Sequence, residues 1–171
     1  LILDFFIWLQ HLLTHKIEFL WRIHRVHHSD TEMDVSTAIR FHPIEIALSM
    51  ALKISLVYAL GADPLSVLIF EILLNGSSIF NHANINIPNR IDKIVRFLIV
   101  TPDMHRIHHS SDRIEHDTNF GFALSIWDHI FQTYKSRPER DHKEMEIGLN
   151  WQDEKPQELG WSLGLPFKKN G

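Results

Sequence analysis

A chain of 171 residues with a formal charge of −4 and an isoelectric point near 6.3 is long enough for one domain with a real core. Its lysines and arginines are scattered, so it lacks the basic field that nucleic-acid binding requires. It has no cysteine, which excludes disulfides, thiolate zinc, iron–sulfur clusters and thiol nucleophiles, and leaves any metal chemistry to nitrogen and oxygen.

In chain order, residues 1 to about 25 contain no Gly or Pro and predict one helix or two abutting helices. The opening LILDFFIWLQ starts on an apolar run without a methionine or a basic lead, and reads as a fragment with apolar helices upstream. Residues 29–43, SDTEMDVSTAIRFHP, are a polar connector closed by Pro43. Residues 44–60 and 65–80 are apolar on most sides and flank the break Gly61-Ala62-Asp63-Pro64, which predicts a helical hairpin. At 17 residues the first is at the short limit for a bilayer span, which needs about 20. Spanning, re-entrant and protein-buried placements all remain open from the sequence. Lys53 and Glu71 lie nearly symmetrically about the turn, so an antiparallel hairpin would bring them to one depth and let them neutralise each other. Residues 91–100 predict a short amphipathic helix ended by Thr101-Pro102-Asp103. Residues 116–134 mix loop signals at Asn119 and Gly121 with an apolar-aromatic run. From Ser136 onward the chain is polar and rich in Pro and Gly, and predicts a water-exposed tail that packs locally.

The histidines carry the functional signal. His24, His27 and His28 stand in the pattern H-R-V-H-H-S, and 81 residues later His105, His108 and His109 repeat it as H-R-I-H-H-S. On a helix, positions i, i+3 and i+4 share one side, so each set converges, and His11 with His15 at i, i+4 forms a third set. A lone histidine is ordinarily a hydrogen-bonded core or surface residue; three dense sets are what metal ligation requires, because each ring offers one lone pair. Eight such donors, with His82 of IFNHANI as a ninth at the end of the second apolar helix, exceed one tetrahedral zinc and suit two metals with open positions. Asp30, Asp103 and Asp112 lie close enough in sequence to orient ring N–H groups, or else to cap helices. His42, His116, His129 and His142 read as structural or surface residues, with His42 in RFHP the best candidate for more.

These motifs resemble the fatty acid hydroxylase and sterol desaturase superfamily of membrane di-iron enzymes, in which three boxes read H-x3-H, H-x2-H-H and H-x2-H-H. His11 and His15 match the first box, His24, His27 and His28 the second, and His105, His108 and His109 the third. The stretches STAIRFHPIE, FNHANI, HDTNFGF and WDHIFQTY are similar to bacterial members. The resemblance implies an all-α, membrane-associated catalytic domain over residues 1–148 followed by a polar tail over 149–171. It implies two iron ions, with zinc able to replace them in purified protein, and O2-dependent hydroxylation or desaturation of a lipid. It further implies an electron-donor redox protein and a site on the cytosolic side of a membrane, the bacterial inner membrane rather than the endoplasmic reticulum.

The match has departures. Ile7 and Leu12 stand where the family tends to have Tyr and Arg around the first box, and the late W-D-[RK]-x-F-G-T pattern has His129 and Gln132 substituted. All eight box histidines are intact. The alternatives are a zinc-dependent membrane hydrolase using part of the cluster, and a non-catalytic metal-binding protein.

Overall fold

The N-terminal apolar stretch forms two helices rather than one. In the computed structural model, which describes residues 1–151 and 155–169, α1 (Ile2–Lys16) ends and α2 (Glu18–His28) begins at Ile17, whose backbone is extended at φ −102° and ψ 113°. That single-residue corner packs α2 back against α1.

After the connector, which holds one 3-10 turn (Thr37–Ile39), come two long helices, α3 (Pro43–Leu60) and α4 (Pro64–His82). Their ends are set by local chemistry. His42 Nδ1 accepts the Ile44 N–H as N-cap of α3, and Asp63 accepts the N–H groups of Leu65 and Ser66 as N-cap of α4, each with Pro in the first turn. Gly61 closes α3 in the left-handed conformation at φ 58°, which only Gly adopts without strain. At 18 and 19 residues these helices are about 27–28 Å long, close to the hydrocarbon thickness of a bilayer. A core helix of a water-soluble protein would be mostly covered, yet only 6 % and 11 % of the two spans is buried, and Leu48, Ile54, Tyr58, Leu68, Ile72 and Leu73 are all exposed. The hairpin thus has the length and the surface of a lipid-embedded element. Its two mid-helix charges meet as expected, with Lys53 Nζ 2.8 and 3.0 Å from the Glu71 carboxylate oxygens.

The following helices are short: α5 (Asn89–Val95), α6 (Pro102–His108), α7 (Arg113–His116), α8 (Ile126–Ile130) and α9 (Leu159–Gly164), the last continued by a 3-10 turn (Leu165–Phe167). The described residues contain no strand, only isolated bridges joining Ile99 to Leu124 and Ser110 to Ile147. The helix expected over 91–100 starts two residues earlier, behind Pro88, and stops at Val95. Beyond it the backbone is taken by other partners: the Val100 N–H donates to Ala123 O and the Ser125 N–H to Leu98 O.

The C-terminal segment is more integrated than a water-exposed tail. Leu165 is fully buried and Trp161 nearly so, in a cluster with Val26 and Leu149 against α2. Buried Arg25 anchors it, donating to Leu165 O at 2.6 Å and Lys168 O at 2.8 Å. Sparse apolar residues without periodicity hid this packing in the sequence.

Candidate metal centre

All nine histidines singled out from the sequence are buried, and the structure brings them together in one region. They form two adjacent groups. His11, His15, His24, His28 and His108 make up one, and His27, His82, His105 and His109 the other, with potential ligand atoms inside each group within 4.8 Å of one another.

Helix geometry explains the division. In α2 the i, i+4 pair His24 and His28 points to the five-membered group, and His27 between them turns to the four-membered one. At the end of α6 the arrangement is reversed: His105 and His109 go to the four-membered group and His108 crosses to the other. The two H-x-x-H-H boxes are therefore interleaved, with His27 against His109 and His28 against His108, each at 4.7 Å between ring centroids. The α1 pair His11 and His15 completes the first group, and His82 at the end of α4 completes the second.

Most rings are oriented from behind. Nδ1 of His11, His27, His82 and His108 lies 2.7, 3.2, 2.7 and 2.7 Å from the carbonyl oxygens of Phe120, Arg40, Ser78 and Thr118. A carbonyl only accepts, so these rings carry the proton on Nδ1 and present an unprotonated Nε2 to the interior. His24 Nδ1 does the same toward Glu45 Oε1 at 2.6 Å. The consequence is unusual: His82 Nε2 faces His27 Nε2 at 3.1 Å, lone pair against lone pair, and His11 Nε2 lies 3.2 Å from His24 Nε2. His105 Nε2 is a further 3.1 Å contact to His82 Nε2. Two nitrogens bound to one metal at about 2.1 Å stand about 3.0 Å apart at a right angle and about 3.4 Å apart in a tetrahedron. The observed spacings lie in that interval, and a cation between the rings removes the repulsion.

Other ring nitrogens support the same fit. Both nitrogens of His15, His28 and His109, and Nε2 of His108, are buried with no hydrogen-bond partner, a concentration foreign to a satisfied polar core. Burial, reinforced by the neighbouring imidazoles, pushes His11, His15, His27, His28, His105, His108 and His109 well below the ordinary histidine range. They are neutral at physiological pH, the form that ligates metals.

The supporting carboxylates differ from those the sequence suggested. Asp30 accepts from Thr37 at 2.7 Å and pairs with Arg40, Asp112 caps α7, and Asp103 lies in the first turn of α6. Glu45 on α3 holds His24 instead, and Asp117 lies 3.5 Å from His15 Nδ1. Both are distant in sequence from the histidines they face, except that the stretch HPIE places Glu45 one turn after a capped helix start. Asp128 acts one step further out. Its buried carboxylate accepts from Trp8 Nε1, the Phe120 and Gly121 N–H groups and Thr133 Oγ1 at 2.6–3.0 Å, and so fixes the Phe120 carbonyl that orients His11. A side chain at Gly121 would come within 2.8 Å of Leu124 O and Val100, so only Gly allows that loop to close. Of the remaining histidines, His42 is a helix cap, while His129 packs on Tyr134. His116 stacks on Trp21 at 4.9 Å and forms a half-buried third group with His15 and Asp117.

Residues 1–133 match the fatty acid hydroxylase family model. The chain belongs to this family. Among curated relatives it is 34 % identical over 139 residues to ornithine lipid hydroxylase OlsE of Rhizobium tropici, covering 80 % of this chain and 40 % of that protein. It is 28 % identical over 142 residues to human alkylglycerol monooxygenase, covering 80 % of this chain and 30 % of the relative. Human cholesterol 25-hydroxylase is 28 % identical over 140 residues, covering 78 % and 48 %. The chain thus spans less than half the length of each of these relatives. No solved structure matches it. By name, these relatives are hydroxylases and a monooxygenase.

Proposed function

We propose that this chain is the catalytic part of a membrane-bound di-iron oxygenase, with residues 1–148 as its domain, that uses O2 to hydroxylate or desaturate a lipid. The observation that carries the reading is the pair of adjacent, buried all-imidazole groups, within which Nε2 atoms of different rings approach to 3.1–3.2 Å. His11, His15, His24, His28 and His108 would hold one iron, and His27, His82, His105 and His109 the other. When bound, such a metal pair supplies the O2 activation and C–H abstraction that no side chain can perform. The protein's residues contribute the rest: carbonyls of Phe120, Arg40, Ser78 and Thr118 and the Glu45 carboxylate hold the rings from behind, and all nine rings are buried from bulk water. Lipid is the substrate class that the exposed hairpin and the named substrates of the relatives support. Electrons would come from a separate redox protein at the cytosolic face of a bacterial inner membrane.

The test is a series of single alanine variants at His11, His15, His24, His27, His28, His82, His105, His108 and His109, expressed in iron-replete cells. Each is assayed for bound metal, retained helicity and O2-dependent change in membrane lipid composition. Wild type should carry close to two metal ions per chain, and every variant should lose lipid oxidation while staying helical. Because each group draws on more than one box, a box that tolerates substitution with activity intact refutes the shared-site mechanism. A zinc hydrolase would show activity indifferent to O2 and dependent on one group alone.

A further inference from the structure

Helix α5 is turned inside out. Its charged pair faces the protein: Asp92 and Arg96, at i, i+4, form an ion pair and are only 3 % and 7 % exposed, and Arg96 donates to Ser136 O at 2.9 Å. Its apolar residues face outward. On α5 and the turns just after it, Ile94 and Phe97 are 75 % and 68 % exposed, and Ile91 and Leu98 are more than half exposed. A surface helix in water shows the opposite arrangement, with the apolar stripe on the core and the charges in solvent. Apolar groups gathered on one exposed segment call for a cover.

The position of α5 in the fold indicates what that cover is. The α3 and α4 helices match the hydrocarbon thickness of a bilayer, and α4 ends at His82, where the buried histidine groups begin. Residues 83–88 alone join α4 to α5, so α5 starts within about 25 Å of that end. From there the segment is held by the histidine-bearing body: Leu98 O accepts the Ser125 N–H, and the Phe97 ring lies 5.9 Å from that of His129. Ile126 and Ile130 of the adjoining α8 are exposed as well. The apolar surface therefore continues from the hairpin onto the body at the level where hydrocarbon gives way to headgroups. The charges agree with this level. Asp92 is the one acid between residues 83 and 99 and is taken by Arg96, which leaves the exposed Arg90 and Lys93 as cations beside the apolar side chains. Basic residues bordering an apolar face suit lipid phosphates above and acyl chains below.

We propose that α5 and the turns through Leu98 form a second membrane contact, lying in the plane of the lipid–water interface with Ile91, Ile94, Phe97 and Leu98 in the upper acyl region and Arg90 and Lys93 among the headgroups. The proposal rests on the hairpin being embedded in lipid and goes beyond it: the body is held at the membrane surface at two places, and not by α3 and α4 alone.

The chain has no cysteine, so a single introduced cysteine carries a fluorophore at one known place. Ile94→Cys and Phe97→Cys are compared with Ile72→Cys on the outer side of the hairpin and Lys143→Cys on an exposed loop, each in the full chain with helicity and metal content checked. The labelled proteins are reconstituted in vesicles of phosphatidylcholine and phosphatidylglycerol. They are quenched by iodide in the water, by a lipid nitroxide near the headgroup, or by one at mid-chain. At 94 and 97 iodide quenching should be at least about threefold weaker than at 143, and the headgroup-proximal nitroxide should quench at least about twofold more than the mid-chain one. Position 72 should show the reverse preference between the two nitroxides. Iodide quenching at 94 and 97 equal to that at 143 overturns the proposal, because the face is then in water. Protection from all three quenchers also overturns it, because protein then covers the face, as does stronger quenching by the mid-chain nitroxide, which would place α5 at the depth of the hairpin. If position 72 is still quenched from mid-chain in those cases, only this inference falls; if iodide reaches position 72 too, the embedded hairpin falls with it.

Discussion

The α3–α4 hairpin turns its hydrocarbon outward and joins Lys53 to Glu71, whereas the histidine region buries nine imidazoles together with Asn119 and Asp128. In the hairpin, a polar pair is tolerated because each charge cancels the other. In the histidine region the polar groups are held by backbone carbonyls and by carboxylates on other elements, and the ring nitrogens left over point inward. Under the proposed function, the difference separates the tasks of anchoring and chemistry within one small chain. The two exposed apolar helices stay almost featureless on their outer faces, and His82 at the end of α4 and Glu45 in the first turn of α3 join them to the site.

Acid should separate the two regions most sharply. Seven of the buried histidines are held neutral in the folded chain, whereas the unfolded chain protonates them below about pH 6.5. The unfolded state then binds more protons, so stability falls as pH falls from about 6.5 toward the depressed folded values, by up to about 1.4 kcal/mol per pH unit for each group. Metal-stripped protein should therefore lose the tertiary packing of its histidine region between about pH 6.5 and 5, read by tryptophan fluorescence, while the hairpin stays in the membrane. A flat pH profile would mean that these rings are solvated after all.

Asp128 tests how far the site depends on support from a distance. Asp128→Ala strands the Trp8 indole N–H, two backbone N–H groups and the Thr133 hydroxyl, and should cost about 3–4 kcal/mol in denaturant melts. Metal affinity should fall with it, because the Phe120 carbonyl behind His11 is released. Normal affinity in a folded variant would show that His11 is oriented by something else.

The hairpin's own prediction concerns order of effect. Lys53→Met alone leaves Glu71 as an uncompensated charge and should destabilise the membrane-inserted form by about 2–3 kcal/mol, whereas Lys53→Met with Glu71→Met should cost less than either single change. Additive losses, measured by unfolding in mixed micelles, would contradict the pairing argument.

The smallest expected effect lies at Gln132, which adopts φ 58° at the position where the family pattern has Gly. A side chain there is strained by about 1–2 kcal/mol, partly offset by the greater unfolded-state freedom of Gly. Gln132→Gly should raise stability by about 1 kcal/mol and leave metal content unchanged. A loss of stability would assign the glutamine a contact that outweighs the strain.

Much of this molecule is local information and could be read directly. The box spacing placed His24, His27 and His28, and likewise His105, His108 and His109, where one helix side can present them. Pro43 and the Gly61-Ala62-Asp63-Pro64 break marked the hairpin, and simple symmetry paired Lys53 with Glu71. Packing between elements decided the rest. Which histidine joins which group depends on how α2 and α6 face each other, a relation between residues 81 apart that no spacing within either box contains. The same holds for Glu45 behind His24 and Asp128 behind Phe120. Helical periodicity chooses the side a residue presents, but its partner is set by the register and approach of another helix, which arise only when the chain buries its surfaces together.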